Sequence, residues 1–381
     1  MSNTSFHTVV IGSGSGGLTA AVALAQAGQE VLVVEQQEVP GGWTHSFTLD
    51  GYRFNTGVHY LGELGKGERL RVLYEGLGVS KDLTFLELNT DAYDHIIIGD
   101  NRFDIPKGKE AYQNRLKERF PSEAKGIERL FDKTAKIYSV LLGIIDQNWF
   151  SILKYPAALP WFARSGGALI NHYVKNPLLR AILLGQCGAH GLPPSKVSAA
   201  IHSAIIQHYI GGGYHPLGGG MSIARAMVRA LKKAGGTIRL NTTVDKIIIR
   251  KNKTIGVKLA NGDIIKSKYV LSNADPNATF YGLVGESYLS RKLRRKLKKV
   301  HWSTSCFSLY LVVNCDLRKM GMDSGNYWIH ENENLEELYQ LGLTDYNTRN
   351  IPPVLFVTAT SLKDPGKSKR HHQLEVFSFV N

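Results

Sequence analysis

Apolar positions along the chain fall into distinct patterns. Thr8-Val9-Val10-Ile11 and Val31-Leu32-Val33-Val34 are short, continuous and β-branched, the pattern of parallel strands buried on both faces. Between them, residues 18–27 are rich in Ala and Leu and stop at Gly28, which predicts a helix closed by glycine. Together they predict a βαβ unit of about 30 residues. Residues 111–120 and 122–137 place apolar side chains at helical spacing among Lys, Arg and Glu and predict amphipathic surface helices. Residues 222–233 predict a helix closed by Gly235-Gly236, with a strand at 237–240 after it. A strand follows from Val244, then a hairpin turning at Asn261-Gly262, then a run from Tyr269 that returns to the first sheet. Residues 373–381 read as a strand.

The join between the first strand and helix is Gly12-Ser13-Gly14-Ser15-Gly16-Gly17. Gly12 permits a tight turn, Gly14 lets backbone approach a pyrophosphate, and Gly17 lets the helix pack close to the strand. The helix start offers free N–H groups and a positive dipole end. Glu35 stands at the end of the second strand, where a carboxylate accepts ribose hydroxyls and repels a 2′-phosphate, so the site suits FAD or NAD better than NADP. Glycine loops alone are common; strand, loop, helix, strand and terminal acid in this order are specific.

Composition narrows the classes. The 381 residues are 43% apolar and 20% charged, which suits a globular chain and excludes disorder. No collagen, heptad or 20–50-residue period is present. The net charge is +14, which fits anionic partners such as phosphates or anionic membrane, or a basic solvated face. No nucleic-acid-binding motif is recognisable, so nucleic acid is not an expected partner. Three cysteines without C-x-x-C spacing argue against a disulfide framework. Cys187-x-x-His190 and His371-His372 lack a partner pair, and no metal site is predicted. The N-terminus has no apolar leader and no run reaches 18 apolar residues, so a cytoplasmic or peripheral membrane protein is expected. Neither a G-x-S-x-G elbow nor a Walker loop is present.

Two stretches leave alternatives open. Residues 139–173 turn apolar and aromatic, with Trp149-Phe150, Tyr155 and Trp161-Phe162 beside Lys154 and Arg164. They read either as a helical lid or as an interfacial segment dipping into a bilayer. Residues 290–300 are strongly basic, with Leu289, Leu293 and Leu297 on one helical face. They read as a membrane-surface helix or as a solvated basic face over a leucine stripe.

Past Glu35 the chain carries Gly41-Gly42, His45-Ser46-Phe47 and a segment from Gly51 through Phe54-Asn55-Thr56-Gly57-Val58-His59-Tyr60-Leu61-Gly62. These residues resemble the FAD-dependent phytoene desaturase and carotenoid isomerase superfamily of amine-oxidase-like flavoproteins, most nearly its retinol saturase branch. A second matching segment runs through His208-Tyr209, Gly212, Pro216, Gly218-Gly219 and Ile223-Ala224, and a third is Val270-Leu271-Ser272-Asn273-Ala274-Asp275-Pro276. Two positions depart: Asn55 stands where the family has an acid, so it receives no catalytic role, and His215 stands where the family has Tyr.

The resemblance implies an α/β fold, with a Rossmann-type FAD-binding domain interleaved with a mixed α+β substrate domain. The expected segments are 1–75 and 206–280 for FAD and 76–205 and 281–381 for substrate. It implies FAD, held by Gly12, Ser13, Gly14, Ser15, Gly16, Gly17, Glu35, Gly41, Gly42 and Val244. NAD(P)H is a candidate electron donor and a retinoid or carotenoid the candidate substrate. No catalytic residue is assigned; His59, Tyr214 and His215 are the candidates, Tyr214 and His215 as substrate-side residues, with wall residues as the alternative for those two. Saturation, isomerisation and desaturation of a polyene all fit, as does an amine or porphyrinogen oxidase. A prenyl-binding protein like the Rab GDP-dissociation inhibitors is the non-enzymatic alternative, against which Gly17 and Glu35 count. Family chains carry a second glycine-rich FAD contact near their end; none follows Asp275 here, so a truncated chain is expected, with an inactive fragment and a compact variant as the alternatives.

Overall fold

The computed structural model describes residues 5–300, 304–344, 352–364 and 371–380. Residues 1–4 of the expected leaderless N-terminus, and Asn381 of the expected last strand, lie outside the described residues. The chain divides into two compact units. The first comprises residues 1–59, 69–85 and 216–302, the second residues 60–68, 86–215 and 303–381.

The first unit is built on a six-stranded sheet in the order Val244–Arg250, Lys253–Leu259, Ile264–Ser272, Ser5–Ile11, Val31–Val34, Thr237–Arg239. The last four strands run parallel and the first three are an antiparallel meander. The β-branched runs are central, as continuous apolar strands should be: Val9, Val10 and Val31 to Val34 are fully buried. One face of the sheet packs Val9, Ile11, Leu32 and Val34 against Val244, Ile247, Val257 and Ile265. The helix Ser15–Gln26 buries Leu18, Ala21, Val22 and Ala25 and packs against the helix Gly220–Lys233. Gly28 follows it with φ +81°, so the predicted glycine stop is realised.

The second unit has its own six-stranded sheet, in the order Ser305–Val313, His372–Val380, Val354–Thr358, Asn326–His330, Asp94–Ile98, Asn101–Ile105. Only Asn326–His330 and Asp94–Ile98 pair in parallel. Its largest core gathers Ile127, Leu130, Phe131, Ile137 and Val140 with side chains of the helices Gly166–Tyr173, Pro177–Leu184 and Ala199–Tyr209.

Four stretches fall in the other unit from the one expected, and one of them, residues 76–85, belongs to the first unit. Residues 60–68 and 206–215 belong to the second unit, where Leu61 and Tyr214 exchange both backbone hydrogen bonds at 2.8 Å and Gly62 N donates to His208 Nε2 at 2.9 Å. Residues 281–302 belong to the first unit, because Leu283 and Val284 pack onto its sheet cluster. The helix predicted at 122–137 runs over Ala124–Ile145 and is amphipathic as expected, with Ile127, Leu130, Phe131, Ile137 and Val140 buried and Lys125, Glu128, Arg129 and Asp132 exposed. It runs on past 137, and Gly143 leaves room for the Asn148–Ser151 turn, which passes too close for a side chain there.

Leu130 is fully buried in this core. Leu130→Ala is expected to cost about 2–5 kcal/mol, read as a lower urea midpoint with unchanged m-value.

Candidate functional site

The glycine loop of the first unit is shaped by close approach. Gly12 has φ +90°, which suits a residue without Cβ. Its N–H donates to Val34 O at 2.8 Å. A Cβ on Gly17 would collide with the Gly12 carbonyl oxygen. On Gly14 it would lie 2.7 Å from Asn273 Nδ2, and on Gly16 2.8 Å from Asn273 Oδ1. The helix therefore begins hard against the strand end, with Asn273 laid along the loop. Gly14 is the N-cap and no side chain caps the helix. Ser15 and Gly16 are exposed, so the helix N–H groups open to a ligand rather than to the chain. A pyrophosphate fits such a cradle.

Glu35 sits where expected, and its environment adds a role. It is buried at the end of Val31–Val34. Its Oε2 accepts from Ser13 N at 2.8 Å and Ser13 Oγ at 2.6 Å, and Oε1 accepts from Gln37 N at 2.9 Å. A carboxylate has about four lone-pair sites. Two are spent organising the loop and one on Gln37, and the remainder is what a ribose hydroxyl would use. Thr242 N donates to Glu35 O at 2.8 Å, which starts the strand of Val244 beside the acid. Gly41 bridges to Gly14 in parallel pairing, and its N–H meets Ser13 Oγ at 3.2 Å. Gly41 and Gly42 have φ +120° and +53°, and a Cβ on Gly42 would crowd Gly14 Cα at 3.2 Å. The structure thus brings Gly12, Ser13, Gly14, Ser15, Gly16, Gly17, Glu35, Gly41 and Gly42 into one cradle with Val244 at its flank.

Asn55 is fully buried and its Oδ1 accepts from Ser46 Oγ at 3.0 Å and Gly220 N at 3.3 Å. It anchors the start of Gly220–Lys233, a structural use that a neutral amide serves. His59 ends the first segment of the first unit and is half-buried. Tyr214 and His215 belong to the second unit. Tyr214 is half-buried, donates to Glu87 Oε1 at 3.1 Å and has Lys107 Nζ 5.9 Å from its ring centre. Burial and Glu87 push its hydroxyl above the usual phenol range. His215 is fully buried.

The second unit also holds a buried polar network that the sequence did not single out. Asp94 heads a strand and is fully buried. Its Oδ2 accepts from Tyr60 Oη at 2.8 Å and Gln186 Nε2 at 2.6 Å, and its Oδ1 from Asn326 Nδ2 at 2.8 Å. Asn326 Oδ1 in turn accepts from Lys363 Nζ and from Thr358 Oγ1. Burial raises the Asp94 carboxyl to about 6, and burial lowers the Lys363 ammonium to about 7. Two groups with protons exchangeable near neutrality, in one network, mark a functional-site candidate. The available signal was an Asp-His pair opening the β-branched run Ile96-Ile97-Ile98.

Lys363 makes stability depend on pH. Its pKa falls from 10.5 to about 7 on folding. Between those values the unfolded chain binds a proton that the folded chain lacks, so stability rises with pH through that window. Wild type is expected to gain on the order of 1.4 kcal/mol per pH unit relative to Lys363→Met between about pH 7 and 10, measured by urea unfolding of both proteins. A constant difference between the two would refute this account.

A model of the family described as flavin containing amine oxidoreductase matches residues 15–353. All-trans-retinol 13,14-reductase of Danio rerio is 30% identical over 407 aligned residues, which take in 98% of this chain and 65% of that protein. Prolycopene isomerase 1, chloroplastic, of an Oncidium hybrid cultivar is 24% identical over 98% of this chain and 64% of its own length. The chain therefore spans somewhat under two thirds of these relatives. An oxidoreductase from Methanosarcina mazei, solved as a crystal structure, shares the fold with a TM-score of 0.70 and 20% identity, over 98% of this chain and 79% of that one. With the family model matched across most of its length and the cradle built, this chain belongs to the flavin containing amine oxidoreductase family.

Proposed function

We propose that the chain is an FAD-dependent oxidoreductase that acts on a carbon–carbon double bond of a long isoprenoid polyene, saturating a retinoid or carotenoid, with NAD(P)H as the electron donor. The observation that carries the flavin half is the uncapped, glycine-lined helix start beside Glu35. The polyene half rests on the similarity, along 98% of this chain, to a protein named as a retinol reductase. When bound, FAD supplies hydride exchange with a substrate carbon. The chain's own part is to hold it: the start of Ser15–Gln26 for the pyrophosphate, Glu35 for a ribose, and Val244 for the adenine. Gly41 and Gly42 complete the cradle wall. Of the catalytic candidates, His59 and Tyr214 are part-exposed and able to meet a ligand. His215, fully buried, would act only through its neighbours.

A polyene partitions into lipid, and the second unit exposes a patch that suits a bilayer surface. In the helix Trp149–Lys154, Trp149, Phe150 and Leu153 are 72%, 75% and 76% exposed. Ile145 beside them is also exposed, and Lys154 Nζ lies 5.4 Å from the Tyr155 ring centre. Apolar and aromatic tips with adjoining cations fit the headgroup boundary of an anionic membrane. Among the described residues no helix is long and apolar enough to cross a membrane, so the contact proposed is peripheral.

Purified chain mixed with FAD and freed of excess is expected to show a bound-flavin visible spectrum, and Gly14→Val to lose it while keeping its circular dichroism. With flavin reduced anaerobically and all-trans-retinol supplied, a dihydroretinoid is the expected product. Unchanged retinol alongside isomerised prolycopene would replace reduction with isomerisation. In flotation with phosphatidylserine-containing vesicles, the chain is expected to float, and the triple variant Trp149→Ser, Phe150→Ser, Leu153→Ser to stay in the pellet fraction. Equal flotation of the two would remove this patch from the membrane contact.

A further inference from the structure

The turn Gly185–His190 and the helix Ala199–Tyr209 bring three metal-ligating side chains together in the second unit. Cys187 is a free, fully buried thiol, His202 is fully buried, and His190 is partly buried. The Cys187 sulfur and one nitrogen from each histidine all lie within 4.8 Å of one another. Sequence spacing shows only Cys187-x-x-His190; the third group comes from the next helix.

Two details go beyond proximity. His202 Nε2 donates to the Leu183 carbonyl at 3.0 Å. A carbonyl only accepts, so the ring proton is on Nε2 and Nδ1 carries a lone pair that accepts from the Cys187 S–H. That Nδ1 points to Cys187 Sγ at 3.9 Å. A ligating histidine is typically oriented in this way, by a backbone carbonyl on its other nitrogen. His190 supplies the second detail. Both of its ring nitrogens are buried from solvent and neither has a hydrogen-bond partner. Buried polar atoms without partners are rare because each keeps its desolvation cost. The Tyr339 hydroxyl is likewise buried and without a hydrogen-bond partner.

We propose that Cys187, His190 and His202 bind one zinc ion. Zinc takes thiolate at about 2.3 Å and imidazole at about 2.0–2.1 Å in a tetrahedron. For one sulfur and two nitrogens the edges of such a tetrahedron are about 3.3–3.6 Å by those bond lengths, so the Cys187–His202 edge closes by a few tenths of an ångström and the others by no more than about 1.5 Å. Three protein ligands leave a fourth position for a water or a further donor. Burial holds both imidazoles neutral, with His190 near 3 and His202 near 4, which is their ligand form. Burial also raises the Cys187 thiol, so the ion must displace its proton: Zn²⁺ adds, S–Zn forms, S–H breaks, and one H⁺ leaves to solvent. Bound there, the ion would clamp the turn Gly185–His190 to the helix Ala199–Tyr209.

The test is a titration of the full chain, treated with chelator, with Co²⁺ and then Zn²⁺. One equivalent of Co²⁺ is expected, with a thiolate-to-cobalt charge-transfer band in the near ultraviolet, one proton released per ion, and loss of the band on adding Zn²⁺. Cys187→Ser is expected to abolish the band. His190→Gln is expected to weaken binding about tenfold or more. Cys306→Ser with Cys315→Ser, the two exposed cysteines, should leave band and affinity unchanged. Absence of the band in chain shown to be folded by circular dichroism overturns the proposal. A band that survives Cys187→Ser, or that disappears with Cys306 and Cys315, also overturns it. Should Cys187→Ser fail to fold, His190→Gln decides, and unchanged affinity there refutes the site.

Discussion

The contact between Gly17 and the Gly12 carbonyl is the constraint on which the nucleotide-binding unit depends. There is no room between them for even a methyl group. Because the backbones touch, the helix Ser15–Gln26 starts immediately at the strand end instead of a side chain's width away. Its first N–H groups then face outward over the loop, with Gly14 as a cap that offers no side-chain acceptor. Each remaining element of the cradle answers to that placement. Glu35 receives both Ser13 donors and stiffens the loop from below. Asn273 lies along its other side, and Gly41 pairs with Gly14 to close the wall. A loop ordered by its own chain before ligand arrives loses less entropy on binding, which is the physical value of spending two of the Glu35 lone pairs on the loop.

The second unit handles polar groups in the opposite way. Its sheet is closed over Asp94, Asn326 and Lys363, and the network is satisfied among its own members. Asn326 is the hinge of that arrangement, since its amide donates to Asp94 and accepts from Lys363. Replacing it by a residue with only one polarity would leave a buried charge without its partner, the costly direction of such a change. The network also leaves the two titrating groups close to neutrality, with Asp94 near 6 and Lys363 near 7. Such values arise where burial penalises charge and hydrogen bonds return part of the loss.

What was legible in the sequence divides along chain distance. The βαβ cradle is local: Gly12 to Glu35 is one short stretch whose residue types are dictated by backbone conformation and close approach, so spacing alone locates it. Gly28 and Gly235 are legible for the same reason. The two faces of the helix Ala124–Ile145 were legible from local spacing but its far end was not, and its inner stripe, Ile127, Leu130, Phe131, Thr134 and Ile137, finds partners both in Tyr112 just before it and in helices well beyond it. The Asp94 network was invisible because Asn326 lies 232 residues away, and pairing at that range is decided by sheet order. The role of Asn55 was half legible: its neutrality excluded a charge, but its partner Gly220 is 165 residues distant. The same distance rule hid His202 from Cys187-x-x-His190, although only 15 residues separate it from Cys187, because a turn and a helix must fold together before their side chains meet.

Unsatisfied polar groups occur in both units, and their locations give them different meanings. At the start of Ser15–Gln26 the open N–H groups border solvent, where water serves them at little cost until a ligand displaces it. An open helix end is therefore compatible with a stable unliganded chain. At His190 the two nitrogens are buried, and no solvent reaches them. There the cost is paid in the folded state itself, on the order of a kcal/mol or more for each group left without a partner. A marginally stable domain retains such a cost only where something offsets it. The geometry around Cys187 and His202 offers an offset that uses one of the two nitrogens left unpaired, whereas the first unit needs none until its cofactor arrives.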